Sequence, residues 1–250
     1  MIQAIRGCTP IEYRDLTGYI SMKPSKNHNN RRLHNWLLYD QVDHMLVLHS
    51  GYISGVVYDL GCGERPFESY ILQYADSYVG VDWGSSQHES KADITADLNE
   101  SVPVDDQVAD TVISISVLEH LHSPLAMLKE AHRILRPGGT LLLQVPFMWH
   151  IHEEPHDYYR YTRHGLEHVL GQAGFREIGI HATSGFWSTF FIKLNYQLIR
   201  LIRGPWLIKG LTGAILYPFF YLNQLLGRRL DRIWFDGSGE TQGYFVKAVR

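Results

Sequence analysis

The stretch Val56-Val57-Tyr58-Asp59-Leu60-Gly61-Cys62-Gly63 decides the fold of this chain. An apolar, β-branched run leads straight into a glycine turn, so it reads as a buried strand with a carboxylate near its end. Glycine has no Cβ, so a ligand can approach the backbone of such a turn closely. Tyr78-Val79-Gly80-Val81-Asp82 reads as a second short strand that also ends in an acid. Asp82 lies 19 positions after Gly63, where an acid can hold both hydroxyls of a bound ribose. Two strand-end acids around a glycine turn indicate a nucleoside-containing cofactor.

The residues after the turn separate the candidate cofactors. A dinucleotide fingerprint needs a third glycine for close helix–strand packing, and Pro66 stands in that place. Asp59 beside the turn would repel a pyrophosphate held on backbone N–H groups. It suits a cofactor that carries an ammonium and a sulfonium, which is S-adenosylmethionine.

Bulk properties narrow the classes. At 250 residues and 45% hydrophobic content, the chain suits one domain with an appendage, or two small ones. A net charge of −3 argues against general nucleic-acid binding. Cys8 and Cys62 are the only cysteines, which points away from a disulfide framework and toward a reducing, cytoplasmic setting. Arg6 and Thr9-Pro10 interrupt the N-terminus, so no signal peptide is expected. No apolar run is long enough for an ordinary membrane span.

Outward from the glycine turn, strands and helices alternate over 56–180, the mark of a parallel α/β sheet. Strands are expected at 55–60, 78–82, 109–115, 140–145 and 175–181, with a short strand or loop over Ala92–Leu98. Helices are expected near Pro66–Tyr74, Pro124–Leu135 and Arg163–Ala173. Ser123 suits an N-cap and Pro124 the first helical position, while Pro137-Gly138-Gly139 reads as a turn. Gly243–Val249 reads as a strand that returns to the sheet. Before residue 51, apolar residues at helical spacing (Trp36, Leu37, Val42, Met45, Leu46) predict a helix, and Arg31-Arg32 reads as a solvated basic face.

The ordered motifs Tyr58–Gly63, Gly80-Val81-Asp82, Val117-Leu118-Glu119-His120-Leu121 and Leu135–Thr140 resemble the class I S-adenosylmethionine-dependent methyltransferases. The resemblance covers about residues 56–180 and the last strand. It implies a Rossmann-like α/β fold: a seven-stranded, mostly parallel sheet with an antiparallel last strand. The implied domains are a helical lead-in or cap over 1–50, a methyltransferase domain over 51–185 and 240–250, and a helical insert over 186–235. By the same resemblance the cofactor contacts are Asp59, Gly61, Cys62 and Gly63 at the turn, Asp82 and Trp83 at the ribose, and Asp97 and Leu98 at the adenine. Ser116, Val117 and His120 complete them beyond the fourth strand. Pro66-Phe67 and the run Pro155–Thr162 are similar to a subgroup often found in cell-surface polysaccharide and glycoconjugate pathways.

Chemistry is expected on the segment after strand five, His150-Ile151-His152-Glu153-Glu154-Pro155-His156-Asp157-Tyr158-Tyr159-Arg160. In open α/β sheets, ligands bind beyond the carboxyl ends of the strands, and this segment emerges there. A hydroxyl acceptor must lose its proton, and His is the commonest base. His156 is the expected base, oriented by a carboxylate such as Asp157, with His152 as the second candidate. His150, Tyr158, Tyr159 and Arg160 are the expected substrate contacts. No metal is expected, although His-x-His with nearby carboxylates is a set that also binds divalent ions.

Residues 187–233 carry seven Lys or Arg against one acid, Asp231. That is +6 locally, and with −3 for the whole chain it leaves −9 elsewhere. Trp187, Phe190, Phe191, Leu194, Leu198, Leu201 and Ile202 fall on one helical face. A second helix, with Leu211, Ile215, Leu216, Phe219, Leu222, Leu225 and Leu226, is expected to be interrupted at Pro218. Such a segment suits peripheral membrane contact, a lid over the acceptor pocket, or a homodimer face. The expected reaction is O-methylation of a small-molecule or lipid-linked sugar, cytoplasmic and at the membrane surface. The alternatives are a secondary or quinone-type metabolite as acceptor, or a non-catalytic S-adenosylmethionine-binding scaffold.

Overall fold

The computed structural model describes residues 23–84, 90–234 and 239–250, with backbone alone at 206–209. Residues 1–22 of the expected lead-in, Cys8 among them, lie outside the described residues. The strands are β1 (Val56–Leu60), β2 (Ser77–Asp82), β3 (Ile94–Thr95), β4 (Ala109–Ile115), β5 (Leu135–Pro146), β6 (Arg176–Ala182) and β7 (Gly243–Val249). The α-helices are α1 (Trp36–Leu48), α2 (Glu68–Ile71), α3 (Pro124–Ile134), α4 (Arg163–Gln172), α5 (Phe186–Ile199) and α6 (Trp206–Trp234).

One sheet holds all seven strands in the order β3-β2-β1-β4-β5-β7-β6. Strand β1 pairs in parallel with β2 on one side and β4 on the other. The winding therefore reverses at β1, and this reversal opens a ligand crevice at the carboxyl ends of β1 and β4. Strand β7 runs antiparallel to β5 and β6, the reversed last strand the resemblance implied.

Neighbouring strand residues point to opposite faces, so each strand feeds two cores. Val112, Leu141, Leu143 and Val246 pack with Met127, Leu128 and Ala131 of α3 and Leu166 and Leu170 of α4. Ile113, Leu142 and Phe245 pack on the other face with Val42, Met45 and Leu46 of α1 and Tyr70 and Ile71 of α2. The apolar spacing read in α1 is the one the structure buries.

Four local expectations are corrected. Pro137-Gly138-Gly139 is not a turn before β5 but a bulge within it. Ala109 pairs with Leu135, then Thr111 pairs with Thr140, and Gly138 takes φ +82° to absorb the extra residues. Ser123 makes no side-chain cap; its Oγ lies 2.9 Å from His122 Nδ1, while its N–H donates to Asn99 Oδ1 at 3.0 Å. Arg31 is no solvated face, because its guanidinium is drawn inward by Asp43 (3.0 Å) and Asp40 of α1. Helix α6 runs unbroken through Pro218. Pro218 and Ala214 are both exposed, so the carbonyl that loses its N–H partner there has water in place of it.

Helices α5 and α6 form an antiparallel hairpin whose burial is inside out. The buried positions of α5 include Ser188, Thr189 and Asn195, and those of α6 include Asn223, Gln224, Gly227 and Asp231. Asn195 Nδ2 donates to the carbonyls of Phe220 (2.9 Å) and His34 (3.2 Å). Gln224 accepts from the Leu37 N–H and donates to the Leu33 carbonyl, both at 2.9 Å, which ties α6 to α1. The leucine face points outward: Leu211, Ile215 and Leu222 are 68%, 74% and 60% exposed. Among the described residues no helix is long and apolar enough to cross a membrane.

Candidate active site

The crevice is built from the glycine turn upward. Gly61 and Gly63 sit at φ +85° and +50°, which favour glycine. The N–H groups of Gly61 and Cys62 donate to the Val81 carbonyl at 2.8 and 3.2 Å, tying the turn to β2. A Cβ on Gly61 would lie 2.2 Å from Val117 Cγ2, so the residue beyond β4 closes directly over the turn. At Gly63 a Cβ would meet, among the described residues, only Asp82 Oδ2, at 3.9 Å, so nothing described there blocks approach to the backbone. Asp82 accepts from the N–H groups of Gly63 and Trp83, both at 2.6 Å. These features fit an adenosyl cofactor: an open backbone, an acid at the end of β2 and an aromatic beside it.

Asp59 does not stand open beside the turn. It is buried, accepts from the Tyr78 hydroxyl at 2.6 Å, and burial pushes its carboxyl up to about 7. Arg65 lies over the Tyr78 ring at 5.4 Å and pairs with Asp93, so it folds back beside the strand end. Asp97 accepts from the N–H and side-chain amide of Asn99 at 2.9 and 2.8 Å, and Leu98 is buried after it. Ser116, at φ +56°, donates to Gln144 Oε1 at 2.6 Å, which sets the direction of the chain leaving β4.

That chain forms a short 3-10 turn, Leu118–His120, on which the segment after β5 docks. The Glu119 carbonyl accepts the N–H groups of Tyr158 (2.9 Å) and Tyr159 (3.2 Å), and His120 Nδ1 lies 2.7 Å from the His156 carbonyl. Arg160 holds the segment's shape with all five of its N–H groups. They meet Asp157 Oδ1 and Oδ2 (2.6 and 2.7 Å) and the carbonyls of Trp149, His150 and Tyr159. Burial pushes Asp157 upward, but Arg160 and the His152 N–H outweigh it and hold the carboxyl down at about 2.

The expected carboxylate partner falls on a different histidine. Asp157 Oδ2 lies 3.3 Å from His152 Nδ1, whereas His156 Nδ1 faces the Tyr158 hydroxyl at 3.3 Å. The His156 ring meets Trp83 edge-on at 5.4 Å, which brings it to the end of β2 where Asp82 stands. Burial lowers the basicity of His150 and His152. His150 packs on Tyr196 of α5 at 5.2 Å, so the helical hairpin borders the site. Tyr158, Tyr159 and Trp83 are exposed, while Tyr161 is buried.

Glu119 belongs to the motif Val117–Leu121 but is not among the site residues expected from the sequence. It is fully buried, neither carboxylate oxygen has a hydrogen-bond partner among the described residues, and burial pushes its carboxyl up to about 8. Its position between Leu118 and His120, just past β4, was the available signal. Gln144 and Tyr78, which hold Ser116 and Asp59, had none.

A sheet wound in this order, with its last strand reversed and a glycine turn and a strand-end acid at its crevice, defines the class. It is that of the class I S-adenosylmethionine-dependent methyltransferases. The chain belongs to the methyltransferase domain family, which matches residues 53–178.

The chain is 25% identical over 157 residues to a ubiquinone biosynthesis O-methyltransferase of Pseudomonas paraeruginosa, covering 56% of this chain and 64% of that protein. It is 33% identical over 114 residues to a malonyl-[acyl-carrier protein] O-methyltransferase of Hahella chejuensis, covering 38% and 40% respectively. The matches span between 37% and 64% of the length of the first curated relatives. A S-adenosylmethionine-dependent methyltransferase from Archaeoglobus fulgidus shares the fold at a TM-score of 0.52 and 16% identity, covering 84% of this chain and 94% of that one.

Proposed function

We propose that the protein transfers the methyl group of S-adenosylmethionine to a hydroxyl on a sugar of a glycoconjugate or polysaccharide precursor. The observation that carries this reading is the histidine-rich segment after β5, seated on the turn that closes the cofactor crevice. The cofactor supplies a methyl group on a sulfonium, already a strong electrophile. The protein's work is then mostly positioning. The glycine turn and Asp82 would hold the adenosyl part, with Trp83 beside that acid and in edge-on contact with His156. The bound cofactor would supply the methyl group, and His156 would take the proton of the acceptor hydroxyl. Exposed Trp83, Tyr158 and Tyr159 offer ring faces on which a sugar can stack.

A second reading, a phenolic or quinone-type acceptor, is favoured by the likeness to the ubiquinone biosynthesis O-methyltransferase. One assay distinguishes the readings. The full chain is incubated with methyl-labelled cofactor and with nucleotide-activated sugars, lipid-linked glycans or dihydroxyphenols. Label is expected in the glycans. Label in the phenols alone moves the acceptor to the second class. Binding of adenosylhomocysteine with no transfer to any pool supports a non-catalytic binder. His156→Ala is expected to lower turnover about 10²–10⁴-fold with adenosylhomocysteine affinity unchanged.

The α5–α6 hairpin supports placement on an anionic membrane surface. Its outward leucines, its excess of cations and its contact with His150 through Tyr196 would bring a lipid-linked acceptor to the histidine segment.

A further inference from the structure

Glu119, His120 and His152 each present a ligand atom, and these atoms lie within 4.8 Å of one another. Their hydrogen bonds indicate which nitrogen of each histidine is free to take a ligand. The His156 carbonyl can only accept, so His120 Nδ1, 2.7 Å away, carries its proton. His120 Nε2 is then a lone pair, 3.7 Å from Glu119 Oε1 and 3.8 Å from Glu153 Oε2.

His152 follows the same logic. Its Nδ1 faces two acceptors, the His150 carbonyl at 3.2 Å and Asp157 Oδ2 at 3.3 Å. Arg160 Nη2 is also 3.3 Å away, but its two hydrogens already serve His150 O (2.9 Å) and Asp157 Oδ2 (2.7 Å). His152 therefore holds its proton on Nδ1 and offers a lone pair at Nε2. Two imidazoles anchored through Nδ1–H to a carbonyl or carboxylate, with Nε2 left as the lone pair, have the outer shell typical of metal-ligating histidines.

Glu119 points to the ligand independently. Its carboxyl is fully buried with neither oxygen hydrogen-bonded among the described residues, and a cation would satisfy it. Metal bonds of about 2.0–2.2 Å would draw the three ligand atoms to roughly 3 Å apart, a small adjustment for side chains on two loops.

We propose that Glu119, His120 and His152 bind one divalent first-row transition-metal ion, with Glu153 as an outer carboxylate. Two imidazoles with a carboxylate suit zinc, manganese, iron or cobalt better than magnesium or calcium, which prefer all-oxygen sets. The site sits two residues beyond Val117, which closes over Gly61, so it lies beside the cofactor crevice. On the O-methylation reading above, the ion holds the acceptor oxygen and acidifies its hydroxyl, and His156 removes the proton.

The test uses the full chain stripped with a chelator and dialysed. It is titrated separately with Zn²⁺, Mn²⁺ and Co²⁺ by calorimetry, and the cobalt form is followed by its visible absorption. One equivalent per chain is expected. His152→Asn, His120→Asn and Glu119→Gln should each weaken binding at least about 10-fold, while His164→Asn, at an exposed position on α4 outside the cluster, leaves it unchanged. Should Glu119→Gln fail to fold, the two histidine variants and wild-type stoichiometry still decide. The proposal is overturned if wild type takes up none of these ions at millimolar concentration, or if the histidine variants bind as tightly as wild type. Adenosylhomocysteine binding measured on the same samples keeps this outcome separate from that of the methyltransferase reading.

Discussion

Asp59 marks how far a single residue can be read from its neighbours in sequence. Its place at the end of β1 predicts an acid near a cationic cofactor. Its packing under Tyr78 decides its charge when no cofactor is bound. The folded protein holds its proton up to about pH 7, whereas the unfolded chain releases it near the ordinary value of 3.8. Below pH 4 both states are protonated and no penalty exists. As pH rises from 4 to 7 the unfolded state gains by ionising, so stability falls, and above 7 the loss is complete. Asp59→Asn lacks this dependence. Urea unfolding of the cofactor-free protein at pH 5 and pH 8 should show wild type losing ground to the variant, at about 1.4 kcal/mol per pH unit in the steepest part. Equal pH slopes for the two proteins would rule out this account of Asp59.

At the scale of elements, the hairpin depends on one carboxylate. Asp231, the lone acid among seven cations, is fully buried near the end of α6. It accepts from the N–H groups of Gly185 (3.1 Å), Trp187 (2.9 Å) and Ser188 (3.0 Å), so one helix caps the start of the other. Gly227 permits this approach, since a Cβ there would lie 2.9 Å from the Trp187 carbonyl oxygen. Removing the cap strands several donors at a buried helix end. Asp231→Ala should lower stability by about 2–3 kcal/mol, read as a shift in urea midpoint. A midpoint within error of wild type would show that the cap is not needed. The sequence placed both helices, but it read Asp231 only as a charge. Its role depends on a partner more than 40 residues away.

At the scale of the whole molecule, the inverted hairpin sets a surface of exposed leucines beside the histidine segment. Burial of these side chains in a bilayer interface would stabilise the bound state by about 1.5–3 kcal/mol for each one fully buried. Full-length protein should co-float with vesicles of anionic phospholipid and much less with neutral ones. The double change Ile215→Asp and Leu222→Asp, on exposed positions, should abolish flotation without loss of fold. Persistent flotation of that variant would reject the hairpin as the contact. A variant that turns from dimer to monomer instead would assign the face to a second copy of the chain.

Sequence alone determined the strands, the glycine turn, the acid that follows it and the class of cofactor. Those depend on local rules: alternation of apolar residues, glycine's freedom and the fixed distance between successive strand ends. Tertiary structure decided which histidine Asp157 orients, that Arg31 and Arg160 turn inward, that Glu119 is buried without a partner, and which face of the hairpin is covered. Each of these is a pairing between segments distant in the chain. A side chain's partner is fixed only once the sheet has brought those segments to the same edge.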